Sequence, residues 1–340
     1  MKNLTLRQKI NQMFILGFEG DNIYTSLNNG FVDALKNGLG GVIFFTPNIT
    51  SFEQIRLVAN EINDISFIKP FLSIDQEGGR VERTENIHNG KKYLSARNAT
   101  SKGLNFVREQ TVCIASELVS YGLNMNFAPV LDVDTNPNNP IIAERSYSAF
   151  PDEVVDNGRI VTNIFVENNI IPVGKHFPGH GETSVDSHLQ MPELDLDLSK
   201  LEDIHIKPFR KLINDLPAIM VAHIHYSAFD EDKLPASISQ NVIKNYLRNK
   251  LGFKGVVISD DMVMGGIKGF TSLEACKRAI HAGVNMFIFR NSNEKTLRLI
   301  DEIEELVNIG EIDEHDIDES VSLILKLKER FSIICPRKCE

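Results

Sequence analysis

Short, near-continuous hydrophobic runs recur from one end of the chain to the other, at 12–18 (QMFILGF), 38–45 (GLGGVIFF), 70–75 (PFLSID) and 125–133 (MNFAPVLDV). Four more follow at 173–177 (VGKHF), 218–224 (AIMVAHI), 255–260 (GVVISD) and 285–290 (NMFIFR). Apolar runs of this length, without alternation, are what strands covered on both faces require. Between them the apolar positions fall at helical spacing, over 24–37, 51–64, 103–120, 152–169, 199–215, 239–250, 272–282 and 293–308. Ser51, Ser199, Ser239 and Asn293 stand where N-caps are expected. A helix over 5–11 precedes the series and one over about 319–330 closes it.

Strict alternation of strand and helix predicts a parallel sheet with crossover helices, and eight of each predicts closure into a barrel. The expected fold is α/β, a single (β/α)8 TIM-type barrel over residues 1–333 with additional terminal helices and a tail at 334–340. Such barrels carry their chemistry at the C-terminal ends of the strands. The residues there are Asp75, Asp132 and Asp134, Lys175 and His176, His223 and His225, Asp260 and Asp261, and Arg290 with Asn291. Any one of them is an ordinary polar strand exit; the set, gathered on one rim, reads as an active site.

The 340 residues are 42% hydrophobic and 24% charged, which supplies ample core material and excludes disorder as the main state. A net charge of -10 argues against nucleic acid, because phosphate binding needs a surplus of Lys and Arg. The N-terminal MKNLTLRQKINQMF lacks the apolar run of a secretory signal, and no stretch approaches the roughly 20 apolar residues of a membrane span. A cytoplasmic monomer with no membrane partner is therefore expected. Cys113 and Cys276 read as reduced thiols, and the Cys335-x3-Cys339 pair as part of a frayed tail.

The densest chemistry lies in KHFPGHGETSVDSH, Lys175 to His188, with three His, two acids and two Gly in fourteen residues. Its polarity argues for a loop that does not pack, with Gly179 and Gly181 as a hinge. Asp186 and His188 are two residues apart and point the same way in extended chain, so the carboxylate can orient the imidazole and raise its basicity. Two chemistries compete. His176, His180, Asp186, His188, His223 and His225 offer more ligands than a zinc ion needs, which is the pattern of a metal-dependent barrel hydrolase. Alternatively His188 is a general acid/base working with a separate nucleophile, for which Asp260 in ISDD is the natural candidate. The second arrangement is that of a retaining glycosidase in which His takes the place of one carboxyl group.

Five segments, KHFPGHGETSVDSH, IDQEGGRVER (74–83), NFAPVLDVD (126–134), ERSYS (144–148) and ISDDMVMGGI (258–267), together resemble the family 3 glycoside hydrolase β-N-acetylglucosaminidases. Their order and spacing agree throughout residues 1–310. The resemblance implies Asp260 as the nucleophile that forms a covalent glycosyl-enzyme, with His188 as acid/base assisted by Asp186. It further implies that Asp75, Arg83, Arg145, Lys175 and His176 hold the N-acetylglucosamine. The expected activity is exo-acting release of terminal N-acetylglucosamine from muropeptides or chito-oligosaccharides, with no cofactor and no metal. Phosphorolysis is an alternative, since a neutral His repels an anionic acceptor less than a glutamate does.

Two positions depart from the family pattern. Glu182 replaces a more usual Asp, and Ala143-Glu144 stands where many relatives have a Gly-containing turn. Of the remaining candidates, His223 and His225 are expected to be one pocket-lining and one structural residue, Asp261 a support of the strand end, and Phe44, Phe45, Phe287 and Phe289 packing residues.

Overall fold

A computed structural model describes residues 4–88, 92–187 and 189–334. Eight strands form a closed, all-parallel barrel: β1 (Phe14–Leu16), β2 (Gly41–Phe44), β3 (Phe71–Ile74), β4 (Met125–Asn126), β5 (Ile171–Phe177), β6 (Ala218–Val221), β7 (Val256–Asp261) and β8 (Met286–Phe289). Neighbours in sequence are neighbours in the barrel, and β1 closes the ring by pairing with β8 in the register Phe14 with Phe287 and Leu16 with Phe289. The predicted (β/α)8 barrel is thus the observed fold. Every residue of β1, β2, β3, β5, β6 and β8 is buried, as strands sheathed by helices must be.

The helices start where short polar side chains satisfy their first free N–H groups. Ser51 accepts from Gln54 N ahead of the helix Phe52–Ile65, and Asn293 from Thr296 N ahead of Glu294–Asn308. Ser239 accepts from Val242 N at 3.1 Å and so caps Asn241–Lys250 as expected. Ser199 does not cap. The helical turn there begins at Leu198, which puts Asp197 at the cap position and Ser199 inside. The opening helix, Leu6–Gln12, starts with a reciprocal Thr5 and Gln8 capping box, and the closing one, Glu314–Arg330, is longer than its sequence pattern suggested. The two pack against each other.

The largest departure from the predicted elements is the fourth strand, expected over 125–133 and reduced to Met125–Asn126. Pro129 has no N–H to give to a ladder, so regular pairing stops there. The chain nevertheless continues along β5: Val173 N donates to Ala128 O, Lys175 N to Pro129 O, and Leu131 N to Lys175 O. A second departure is a small parallel pair outside the barrel, Glu193–Leu194 with His225–Tyr226, which takes His225 off the end of β6. No described helix is long and apolar enough to cross a membrane.

Candidate active site

At the C-terminal end of the barrel, a cleft of about 320 Å³ is lined by residues from several strand exits, among them Asp75, Arg83, Arg145, Lys175, His176 and Asp260. The volume is at the lower end of the roughly 300–1,000 Å³ typical of small-molecule sites, which suits one sugar ring. The six residues come from the ends of β3, β5 and β7 and the loops after β3 and β4, far apart in sequence and adjacent only because the barrel closes.

One wall is a buried lattice of alternating charges. Lys175 Nζ lies 2.8 Å from Asp75 Oδ1 and 2.6 Å from Glu77 Oε1. Arg145 grips Glu77 through two parallel bonds, Nε to Oε2 at 2.9 Å and Nη2 to Oε1 at 2.8 Å. Arg83 sits 3.8 Å from Asp75 Oδ2, with its guanidinium over the Phe45 ring at 5.7 Å. Burial pushes the Glu77 carboxyl toward protonation, but Arg145 and Lys175 outweigh it and hold Glu77 well below its ordinary value. Burial likewise opposes the charge on Arg145, and Glu77, then Asp132 and Asp75, more than restore it. Glu77 and Arg145 therefore stay ionised as a pair within this wall.

Behind His176 lies Asp132, fully buried. Its carboxylate receives His176 N at 3.2 Å, His176 Nδ1 at 2.6 Å and His180 N at 2.6 Å. Burial raises the Asp132 carboxyl, and His176 and His180 bring it to a net value below the ordinary one. An ionised carboxylate only accepts, so Nδ1 of His176 is the donor, and a neutral His176 turns an Nε2 lone pair toward the cleft.

The opposite wall is built on β7 and β8. Asp260 Oδ1 accepts from Asp261 N at 2.8 Å. Burial drives its carboxyl up, but His176, His223, that N–H and Lys175 together leave it below the ordinary carboxylate value. Asp260 is therefore an ionised carboxylate in a confined site. Asp261 turns away from this role: it pairs with Arg290 Nε and accepts from Val263 N at 3.1 Å, fastening the strand end as expected. Burial raises the Asp261 carboxyl despite Arg290.

Neither His223 nor His225 lines the cleft, contrary to the sequence expectation for one of them. His223 is buried with Nδ1 2.6 Å from Ser237 Oγ and Nε2 3.2 Å from the Asp261 carbonyl, and burial favours its neutral form. Asp134 is spent on Arg97, at 2.9 Å, and Asn291 on Thr296 Oγ1, at 2.8 Å. Phe44, Phe287 and Phe289 are core residues as expected, whereas Phe45 reaches the cleft under Arg83.

The segment after β5 is not the free polar loop that its composition suggests. Residues 178–181, Thr183 and Ser187 are buried. Its polar groups are satisfied internally: His180 bonds Thr183 Oγ1 and Ser187 Oγ, both at 2.9 Å, and Asn139 Nδ2 donates to His180 O at 2.8 Å. Gly179 has φ +136 and lies against His205, while Gly181 is needed for contact, since a Cβ there would overlap the Val133 carbonyl. Two glycines that read as a hinge instead let the segment pack against its neighbours. Burial, then His176, lowers the His180 imidazole to about 4, so it is neutral at pH 7. Asp186 is partly exposed at the far end of this segment, and His188 lies outside the described residues, as do Cys335 and Cys339. Glu182, the unusual acid, accepts from Thr135 Oγ1. Ala143 takes a left-handed φ of +42, the conformation a Gly would adopt freely, and Arg145 still reaches Glu77.

Sequence reasoning missed Glu77 and gave Asp132 no role. A signal for Glu77 was present, because it stands two residues after Asp75 and shares its side in extended chain. The donors proposed for a metal are mostly engaged with protein: His180 and His223 through both ring nitrogens, His176 through Nδ1. Among the described residues, the group of acids and His with ligand atoms close enough to share an ion is His315, Asp316 and Glu319, away from the cleft. What the cleft can do is hold a polyhydroxylated ring between fixed charges and present a carboxylate to it.

A family model, described as the Glycosyl hydrolase family 3 N terminal domain, matches residues 5–327. The chain is 31% identical over 326 residues to beta-hexosaminidase A of Pseudoalteromonas piscicida, a match covering 86% of this chain and 54% of that protein. It is 33% identical over 282 residues to the beta-hexosaminidase of Haemophilus influenzae (strain KW20), covering 80% and 78%. Among solved structures, a glycoside hydrolase family 3 beta-N-acetylglucosaminidase from Paenibacillus sp. str. FPU-7 superposes with a TM-score of 0.92 at 33% identity, over 99% of this chain and 64% of that one. M tuberculosis LpqI superposes with a TM-score of 0.85 at 26% identity, over 96% and 94%. The chain thus spans about half the length of the Pseudoalteromonas relative.

Proposed function

The chain belongs to glycosyl hydrolase family 3, and on that premise we propose that it is an exo-acting, retaining β-N-acetylglucosaminidase. The observation that carries the reading is an ionised Asp260 facing a cleft whose other wall is the charge lattice of Asp75, Glu77, Arg145 and Lys175. Relatives named beta-hexosaminidase and a structural neighbour named as a beta-N-acetylglucosaminidase support the substrate class.

In the proposed reaction Asp75, Arg83, Arg145, Lys175 and His176 bind the sugar hydroxyls and acetamido group and place the anomeric carbon over Asp260. The carboxylate attacks that carbon as the glycosidic C–O bond breaks, and protonated His188 donates to the leaving oxygen. His188, now neutral and oriented by Asp186, takes a proton from water; the water oxygen attacks the anomeric carbon and Asp260 leaves as carboxylate. Two displacements return the original configuration. No metal enters the scheme. The natural substrates proposed are N-acetylglucosamine-terminated muropeptides released during cell-wall recycling, handled by a cytoplasmic monomer; cell fractionation and sedimentation test those two attributes.

The test is hydrolysis of an aryl β-N-acetylglucosaminide by wild type, Asp260→Ala and His188→Ala, each with and without azide. Loss of about 10³-fold or more in Asp260→Ala is expected, with azide giving the α-glycosyl azide there and the β-glycosyl azide in His188→Ala. Undiminished activity in Asp260→Ala, or activity abolished by a chelator, defeats the scheme. The phosphorylase alternative is separated by its product, N-acetylglucosamine 1-phosphate in phosphate buffer.

A further inference from the structure

Arg290 is the cation of the cleft that the sugar-binding scheme leaves unused. It follows β8 directly, and its backbone is pinned: Arg290 N donates to Asp261 Oδ1 at 3.3 Å, and Gly17 N donates to Phe289 O at 2.9 Å from the neighbouring strand. Gly17 lets that strand approach so closely that any Cβ on it would overlap the Arg290 carbonyl. The side chain is anchored as well, through Nε to Asp261 Oδ2. Yet 48% of the side chain is exposed, and the guanidinium lines the cleft beside Met264, Asp260 and Asp261. Neither Nη has a protein partner among the described residues.

This placement differs from that of the other cations. Lys175 and Arg145 are buried and paired with Asp75 and Glu77, on the β3 to β5 side. Arg290 follows the strand next to that of Asp260 in barrel order, lines the same cleft, is half exposed, and engages protein through N and Nε, with both Nη groups free of protein partners among the described residues. In an exo-acting enzyme the part of the substrate that extends from the pocket is the leaving group. A guanidinium whose orientation is already fixed, and whose free edge is wet, is suited to a carboxylate, which it meets with paired hydrogen bonds. A neutral group offers it no counter-charge.

Resting on the glycosidase reading above, we infer that Arg290 is a specificity-determining residue that binds a carboxylate on the leaving group, so that the enzyme prefers leaving groups bearing a carboxylate over neutral ones.

The test compares two glycosides differing in one group, carboxyphenyl β-N-acetylglucosaminide and its carboxamide, in wild type, Arg290→Gln and Arg290→Lys. Wild type is expected to show a higher kcat/KM for the acid, carried in KM and fading as salt is raised from 20 to about 500 mM. Arg290→Gln is expected to lower kcat/KM for the acid about tenfold more than for the amide, and Arg290→Lys to recover part of the difference. Equal losses on both glycosides overturn the inference and leave Arg290 as a support for Asp261. A wild type that cleaves both with no preference also overturns it. Failure to cleave either glycoside counts instead against the glycosidase reading, so the two outcomes are distinct.

Discussion

Glu77 and Arg145 meet edge to edge, two oxygens against two nitrogens at 2.9 and 2.8 Å, and the same carboxylate holds Lys175 at 2.6 Å. One buried acid therefore fixes two of the cations assigned to the sugar. Its removal leaves Arg145 confined without its paired carboxylate and Lys175 with Asp75 alone, and breaking a buried pair typically costs about 3–5 kcal/mol. Glu77→Gln is expected to lower the unfolding free energy by that order and to reduce kcat/KM on an aryl N-acetylglucosaminide by at least about 100-fold. Denaturant titration and steady-state assays measure the two effects. A variant as stable as wild type would mean that Asp75 alone neutralises the pair.

The same contact sets an acid limit on stability. Glu77 is held below its ordinary 4.5, so its contribution is complete above that pH in the unfolded reference and is lost as pH falls toward the lower folded value. Wild type is expected to lose stability steadily below pH about 4.5, with a shallower slope in Glu77→Gln. Identical slopes in the two proteins would assign the acid sensitivity elsewhere.

These residues also mark how much of the molecule its sequence discloses. The barrel was legible because each strand is a buried apolar run and each crossover has helical spacing, signals that survive without tertiary context. The strand exits Asp75, Lys175, His176 and Asp260 were legible as polar residues after such runs. What was hidden depends on partners distant in sequence: Glu77 matters because Arg145 and Lys175 arrive beside it, and Asp132 because it caps His176 and His180. Gly181 was misread for the same reason. Its close neighbour, Val133, lies on another crossover, so a glycine demanded by packing looked like one demanded by motion.

Gly181→Ala tests that reinterpretation. The added methyl would overlap the Val133 carbonyl, and backbone has no rotamer through which to retreat. The variant is expected to lose several kcal/mol of stability and most activity. Gly252 is the control: its φ is +77 but nothing lies within 4 Å of an added Cβ, so Gly252→Ala is expected to cost only about 1–2 kcal/mol, from backbone strain. Thermal unfolding of the pair decides the matter, since a true hinge at 181 would show lost activity at near-normal stability.

Ala143 presents the converse case. Its φ of +42 is a conformation that an L side chain resists by about 1–2 kcal/mol and glycine does not. Part of that gain is offset by the greater freedom of glycine in the unfolded chain. Ala143→Gly is expected to be neutral to about 1 kcal/mol more stable, with KM unchanged if Arg145 keeps its grip on Glu77. A large rise in KM would show that the methyl group itself shapes the Arg145 turn.

The pH dependence of kcat/KM follows from the two ends of the proposed displacement. Asp260 must be ionised, and its carboxyl is held below the ordinary 3.8, so the acid limb is expected below pH about 4. His180 titrates near 4 and is already neutral where the enzyme works, so it contributes no limb near neutrality. In the proposed scheme the alkaline limb then reports loss of the proton that His188 gives to the leaving group. A carboxylate at Asp186 favours the imidazolium, so Asp186→Asn is expected to move this limb to lower pH while the acid limb stays in place. Were the alkaline limb to stay and the acid limb to move, Asp186 would be acting on the nucleophile, and the assignment of His188 as its partner would have to be abandoned.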